Sequence, residues 1–449
     1  MNIEYWREQL TRKQVAQHGD MNKVGPYYAG TQRIPSMNPE MEKILADRVP
    51  KVNVNLARLA VDVYAQRLTV VGFASSPDDL SDGEVMDLWL ANGMDVKSPM
   101  AHLESLIYGR AYFFAWVGPD GAPSISVESP YQVTVARDPL SGEIVAALKR
   151  WIDEAGYAHS LIFTREEIAE FVTRASKSPD PLFPTDALPL IGEDMVEISR
   201  QVNPLGVVPI VPLVNRARLQ QPDGHSEITD LMPLIDGIAK LSCDLQIASE
   251  YSASPQRFVT GLFPDSRFTY EQARDVATAI KDQWENTYSS KILMAPDHRT
   301  EFGSFEVATL ENFQAAITLL TQQVAALAAL PPYYLSLNTA NPTSADSIRA
   351  SEARLTAKAE KQQRTWGPAY AELMRLAVLV RDGRPDDRLS RLTTQWASAA
   401  PATLAQTADA EAKLVGAGIV DRATALLALG YSPLDVERIT ATPIEGVTA

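Results

Sequence analysis

A chain of 449 residues, 45% hydrophobic and 22% charged, is long enough to bury a large core and to divide into about two to four compact regions. Its 56 acidic residues outnumber 41 lysines and arginines, and the net charge of −15 argues against a surface built to grip nucleic acid through a basic groove. The single cysteine, Cys243, excludes an internal disulfide framework, fits a reducing compartment, and at mid-helix reads as core rather than nucleophile.

The N-terminal residues, Met1 to Gln14, lack the apolar run of a signal peptide, and no window reaches about 18 uninterrupted apolar residues. A soluble, cytoplasmic chain that meets no membrane is therefore expected. Ile3 to Gln17 has the pattern of a short helix, followed by a connection through Tyr27-Tyr28-Ala29-Gly30 and Pro35. Asn53 to Leu68 reads as a buried helix, Val70 to Phe73 as a strand, and Glu84 to Ala91 and Met100 to Tyr108 as two further helices. From Arg110 the period changes to two. Tyr112 to Val117 and Ser124 to Val127 flank the turn Gly118-Pro119-Asp120-Gly121, and Gln132 to Ala136, Ile144 to Trp151 and Tyr157 to Phe163 extend this into an antiparallel meander.

Pro179 to Leu190 is proline-rich loop, and Val207 to Val214 returns as a buried strand. After a break at Leu219 to Gly224, Ser226 to Ala253 has the pattern of one long helix that sets Asp230, Asp236, Asp244 and Glu250 against a single lysine, Lys240. On sequence alone this is a solvated acidic face. Phe258 to Thr260 and Ile292 to Met294 read as short strands around a helix at Tyr270 to Tyr288, a small α/β insert between two long helices.

The second long helix, from Thr309 to Leu330, carries Leu310, Phe313, Ile317, Leu320, Val324 and Leu327 on one stripe and Glu311 as its only charge. Alanines fill much of the remainder, so this helix needs neighbours. Pro331-Pro332 ends it, because neither residue offers an amide hydrogen. An uncharged segment, Tyr333 to Ala340, leads to Asn341-Pro342 and to Ser344, an N-cap for the helix that starts at Ala345. Arg349 with Glu352 and Glu360 with Arg364 read as surface pairs of that helix. Gly367-Pro368 interrupts it, but apolar spacing resumes at Tyr370, Leu373, Met374 and Ala377, which predicts a kink rather than an end. Beyond Gly383 the chain reads as helical, with short helices divided by Gly416, Gly418 and Gly430.

No reaction is legible. The five histidines are scattered outside HExxH, HxH or paired-cysteine spacing, and no phosphate loop, GxSxG elbow or post-strand GxGxxG occurs. No catalytic residue, metal site or cofactor is expected.

Taken in order, these segments resemble the portal proteins of tailed bacteriophages, in the branch typified by phages of actinobacteria. The residues that carry the resemblance are Asn53 to Arg67 with Gly72-Phe73, Leu106-Ile107-Tyr108-Gly109-Arg110, Asn203 to Pro209, Ser226 to Lys240, and above all Asn341 to Ala350. The resemblance implies an α+β, mostly helical fold divided into a wing with an antiparallel β region (1–225), a stem helix (226–253), a clip (254–308), a second stem helix (309–329), a tunnel loop (330–344), a kinked wing helix (345–385) and a helical crown (386–449). It also implies a ring, usually of twelve copies, at one capsid vertex of the virion, assembled in the host cytoplasm. Double-stranded DNA would pass through its hole. The implied partners are the terminase large subunit, the major capsid or scaffolding protein, and a head-completion adaptor; a capsid or scaffold subunit that never meets DNA is the alternative. On this resemblance Ser336, Asn338, Thr339 and Asn341 would face the DNA, and the acids at 230, 236, 244 and 250 would face either the channel or neighbouring copies. A buried crossover, with Tyr333, Tyr334, Leu335 and Leu337 filling core, stands as the other reading of the loop.

Overall fold

The computed structural model describes residues 2–33, 54–76, 82–173, 195–253, 257–260, 301–304, 310–335, 345–400 and 404–429, with a few single positions besides. It divides into two units: residues 1–30, 55–231 and 325–449, and residues 31–54 and 232–324.

The first unit opens with α1 (Ile3–Ala29), longer than its sequence pattern because the tyrosines expected in a connection continue the helix. Asn2 caps its start, accepting from the Glu4 amide, and Gly30 ends it at φ 73°, donating to Pro26 and Tyr27 carbonyls. A left-handed residue closing the last turn is the usual work of glycine. After α2 (Leu56–Ala65) come β1 (Val70–Ala74), α3 (Gly83–Ala91) and α4 (Met94–Tyr108).

The expected single meander is two sheets. β2 (Arg110–Val117) pairs with β3 (Pro123–Glu128) on one side and β9 (Ile210–Val214) on the other. The second sheet runs β4 (Val133–Arg137), β5 (Ile144–Ile152), β6 (Ala158–Thr164), β7 (Glu167–Thr173) and β8 (Met195–Val202), all antiparallel. β7 and β8 were not expected. The alternation is what separates the two faces of this sheet. Ala146, Leu148, Ile162, Ala169 and Phe171 pack with Ile3 and Leu10 of α1. Val133, Val135, Ala147, Phe163 and Ile168 pack with Tyr112 and Ile210 of the three-stranded sheet.

The helix α7 (Ala345–Asp382) is one continuous element of 38 residues with Pro368 inside it, about 57 Å long at 1.5 Å per residue. A strand, β12 (Thr393–Trp396), follows where only helix was expected, and it pairs antiparallel with β1. Short helices α8 (Leu404–Gly416) and α9 (Arg422–Ala428) come last. Trp366 and Tyr370 of α7 are fully buried. The Trp366 indole donates to the Val214 carbonyl at 2.8 Å and stacks on His102 at 4.9 Å, while the Tyr370 hydroxyl lies 2.7 Å from His102 Nε2.

In the second unit, α5 (Met232–Ala253) and residues 311–324 of α6 (Glu311–Ala328) approach closely at Gly237, where a Cβ would stand 3.0 Å from Leu320 Cδ1. β10 (Arg257–Thr260) pairs with β11 (Glu301–Ser304). The expected partner strand, Ile292 to Met294, lies outside the described residues, as does most of the helix between them.

Candidate functional site

The segment after α6 is held by a buried charge. A 3-10 turn, Pro332–Leu335, brings the stacked rings of Tyr333 and Tyr334 (4.8 Å between centroids) over α7. The Tyr333 hydroxyl donates to the Glu352 carboxylate, and Arg67, at the end of α2, reaches the same carboxylate at 3.2 Å. Arg67 also donates to the Ala399 carbonyl at 3.2 Å and to the Tyr334 hydroxyl at 3.4 Å. Burial first, and then the bond to Glu352, raises the Tyr333 phenol well above its ordinary value, so it stays a donor. Glu352 is therefore not half of a surface pair with Arg349: its side chain is 5% exposed and its cation comes from a residue 285 positions away.

This node fixes the entrance to the loop expected to face DNA. Ser336, Asn338, Thr339 and Asn341 themselves lie outside the described residues. Tyr333, Tyr334 and Leu335 are half-buried.

The four acids expected on one stem helix divide. Asp230 precedes the helix, since the segment 226–231 is turn rather than helix and α5 begins at Met232. Its carboxylate pairs with Arg216 at 2.9 Å and with His225 at 3.6 Å. Partial burial by itself raises the Asp230 carboxyl, but the hydrogen bond and charge of Arg216, aided by His225, outweigh it and hold the group below the ordinary carboxylate value. Asp244 pairs with Lys240 one turn away, and Asp236 is half-buried on the same helix. The Glu250 backbone is helical and its side chain lies outside the described residues. The acidic run is thus partly neutralised by its own neighbours.

Gly367 and Pro368 sit in a groove of about 530 Å³ lined also by Arg364, Arg375, Leu392 and Trp396. The Thr394 hydroxyl donates to the Gly367 carbonyl at 2.8 Å, so β12 holds the helix where proline removes an amide donor. Sequence reasoning missed this contact because β12 was not recognised.

The Leu106-to-Arg110 motif has a structural role. Gly109 ends α4 at φ 87°, and its carbonyl accepts from the Asn215 amide at 2.8 Å. Arg110 donates to the Asp223 carbonyl at 3.1 Å, and Gly224 closes against Gly109. The motif welds α4 to the segment leading into residue 226. Among the described residues no group of His, Cys, Asp or Glu is placed to hold a metal ion, and no helix is long and apolar enough to cross a membrane.

An α+β body with two antiparallel sheets and a 38-residue helix anchored beside a proline-bracketed loop is the architecture expected of a phage portal subunit. The chain belongs to the phage portal protein family: the model for "Phage portal protein, SPP1 Gp6-like" matches residues 8–430. It is 33% identical over 417 residues to the portal protein of Mycobacterium phage L5, covering 89% of this chain and 79% of that protein. It is 30% identical over 454 residues to the portal protein of Mycobacterium phage D29, covering 96% and 87%. A chain in the neck of an empty GTA particle, computed with C6 symmetry, shares the fold at a TM-score of 0.50 and 13% identity, over 88% of this chain and 95% of that one.

Proposed function

We propose that the chain forms a closed ring of twelve copies at one capsid vertex and that duplex DNA passes through the hole during packaging and ejection. The observation that carries this is the family match over residues 8–430, and the sixfold symmetry applied to the neck of the GTA particle fits a ring of six or twelve. In this reading residues 1–225 are the wing, 226–253 and 309–329 the stem helices, 254–308 the clip, 330–344 the tunnel loop, 345–385 the kinked wing helix and 386–449 the crown. The ring is a virion component. Its partners are the terminase large subunit, the major capsid or scaffolding protein, and a head-completion adaptor; the terminase hydrolyses ATP, and the ring itself is not an enzyme.

A conduit must hold moving DNA weakly at every register. Each phosphate neutralised by a lysine or arginine releases counterions and adds affinity, so a net charge of −15 suits a channel that does not grip. The uncharged loop, anchored through Tyr333 and Tyr334, brings Ser336, Asn338, Thr339 and Asn341 toward the duplex. Electron microscopy of the purified chain tests this: closed rings with a central hole, about 590 kDa for twelve chains of 49.2 kDa, are expected, whereas shells or sheets would mark a capsid subunit.

A further inference from the structure

Leu219 is the most exposed large apolar side chain among the described residues, and it stands on a rigid support. The Arg218 amide donates to the Gln221 carbonyl at 3.1 Å and the Gln221 amide to the Arg218 carbonyl at 2.9 Å, leaving only Leu219 and Gln220 at the tip of the turn. Both ends of the loop are pinned. The Asn215 amide donates to the Gly109 carbonyl at 2.8 Å, the Asp223 carboxylate pairs with Lys13 at 2.8 Å, and the Asp223 carbonyl accepts from Arg110 at 3.1 Å. A side chain presented this way loses little conformational freedom on docking.

The same unit holds a groove of about 270 Å³, floored by the buried Val208, Val211, Leu376 and Leu389 and edged by the exposed Val207. An apolar cavity of about 150 Å³ takes a benzene molecule, so this groove has room for the four carbons of a leucine side chain. Its charged lining is Glu372, Asp386 and Arg375, one acid in excess. Asp386 is held by Arg388 at 3.5 Å. Glu372 makes no ion pair among the described residues, and neither does Arg218.

Turn and groove lie at opposite ends of β9. Val207 and Val208 precede the strand, whereas the loop leaves after Val214 and is pinned at the start of β2, where Arg110 pairs with Val214. α7 measures the same separation: Trp366 meets Val214, and Leu376 lines the groove about 15 Å further along the helix. Leu219 is thus held away from the groove of its own chain. A contact between the two joins different faces of two copies, the heterologous kind that closes a ring. Charge selects this leucine over Leu140, which is 96% exposed and also tips a turn. There Asp138 and Glu143 balance Arg137 and Arg165, whereas the turn of Leu219 carries Arg218 as an uncompensated cation. We propose that Leu219 of each copy seats in this groove of the next, with Arg218 facing Glu372. This rests on the ring reading above.

Leu219→Asp changes a fully exposed side chain and should keep the wild-type circular dichroism and melting profile while losing about tenfold or more in ring fraction by mass photometry. Arg218→Glu and Glu372→Arg should each lower ring fraction about threefold at low salt. The two combined should restore it, and the differences should shrink at high salt. Rings at wild-type yield from Leu219→Asp, or a combined variant no better than the single ones, would overturn the junction and leave the ring reading standing. Wild-type protein that forms no ring, either purified or released from particles, would overturn both. In a Cys243→Ala background, Leu219→Cys with Val207→Cys and a bis-maleimide should give a ladder of multimers of the 49.2 kDa chain. Monomer alone in a sample that forms rings, or dimers from Leu219→Cys by itself, would overturn the junction independently of any effect of charge on folding.

Discussion

The tight backbone approach at Gly224 gives the sharpest stability prediction. A Cβ on Gly224 would stand 2.2 Å from the Gly109 carbonyl oxygen, 2.6 Å from that of Asn215 and 2.7 Å from Val214 Cγ1, at φ 86°. Both oxygens are engaged: Gly109 accepts from the Asn215 amide at 2.8 Å and Asn215 from the His225 amide at 2.9 Å. Gly224→Ala must therefore pay about 1–2 kcal/mol for the left-handed backbone and then break or stretch two backbone bonds at about 1 kcal/mol each, with the further cost of a buried carbonyl left unmatched. A total loss of about 3–5 kcal/mol is expected. Gly121→Ala is the control, since its φ of 81° is nearly the same and nothing lies within 4 Å of its Cβ; only the backbone cost of about 1–2 kcal/mol applies there. Urea unfolding followed by tryptophan fluorescence measures both. Equal losses in the two variants would refute the reasoning that the Gly109–Gly224 contact joins α4 to the segment leading into residue 226.

Gly367→Ala should stabilise by about 0.5–1 kcal/mol in the same assay, because its Cβ would make ordinary contacts at 3.6 Å and 3.8 Å with Trp396 and Thr394; adding Pro368→Ala should raise helix stability further while lowering ring yield, if the buried Leu373 and Met374 depend on a bend. Burial holds the His102 imidazole at about 3 against an ordinary 6.5, so the unfolded chain takes up a proton that the folded chain refuses. Its contribution is complete above pH 6.5 and is lost as pH falls toward 3, and His102→Gln should flatten that slope by one proton. Glu352→Ala leaves the guanidinium of Arg67, 15% exposed, without its carboxylate, and should cost about 3–5 kcal/mol and quicken proteolysis next to Tyr333. Replacing Ser336 to Thr339 with a Gly-Ser linker should leave rings intact but lower DNA per head, and Asn338→Lys should slow packaging in a salt-sensitive way; lost rings in the linker variant would favour a buried crossover, and unchanged packaging in both would mean that the loop does not meet DNA.

What was legible in the sequence is what is local. The β2–β3 hairpin, the nearly uncharged α6 and the long α7 carry their period within themselves, and α7 does continue through Gly367-Pro368. Leu327, placed on the apolar stripe of α6, is 55% exposed because it falls at the stripe's edge, where tertiary contacts decide. The pairing of strands is non-local, and so one expected meander became two sheets, the smaller completed by β9, a strand about 95 positions after β2 in the chain. β12 is four residues of Thr-Thr-Gln-Trp and has no periodicity long enough to detect. Glu352 shows the limit most plainly: i,i+3 spacing offered Arg349 as its partner, while the structure supplies Arg67 and Tyr333.

The central claim, a ring threaded by DNA, is tested most directly by a cryo-electron microscopy map of DNA-filled particles reconstructed on the vertex that bears this chain. The account predicts twelve copies around a hole with duplex density running through it and residues 336–341 from each copy nearest to that density. A map that places the chain in the capsid lattice, or shows a ring closed to the duplex, would contradict it.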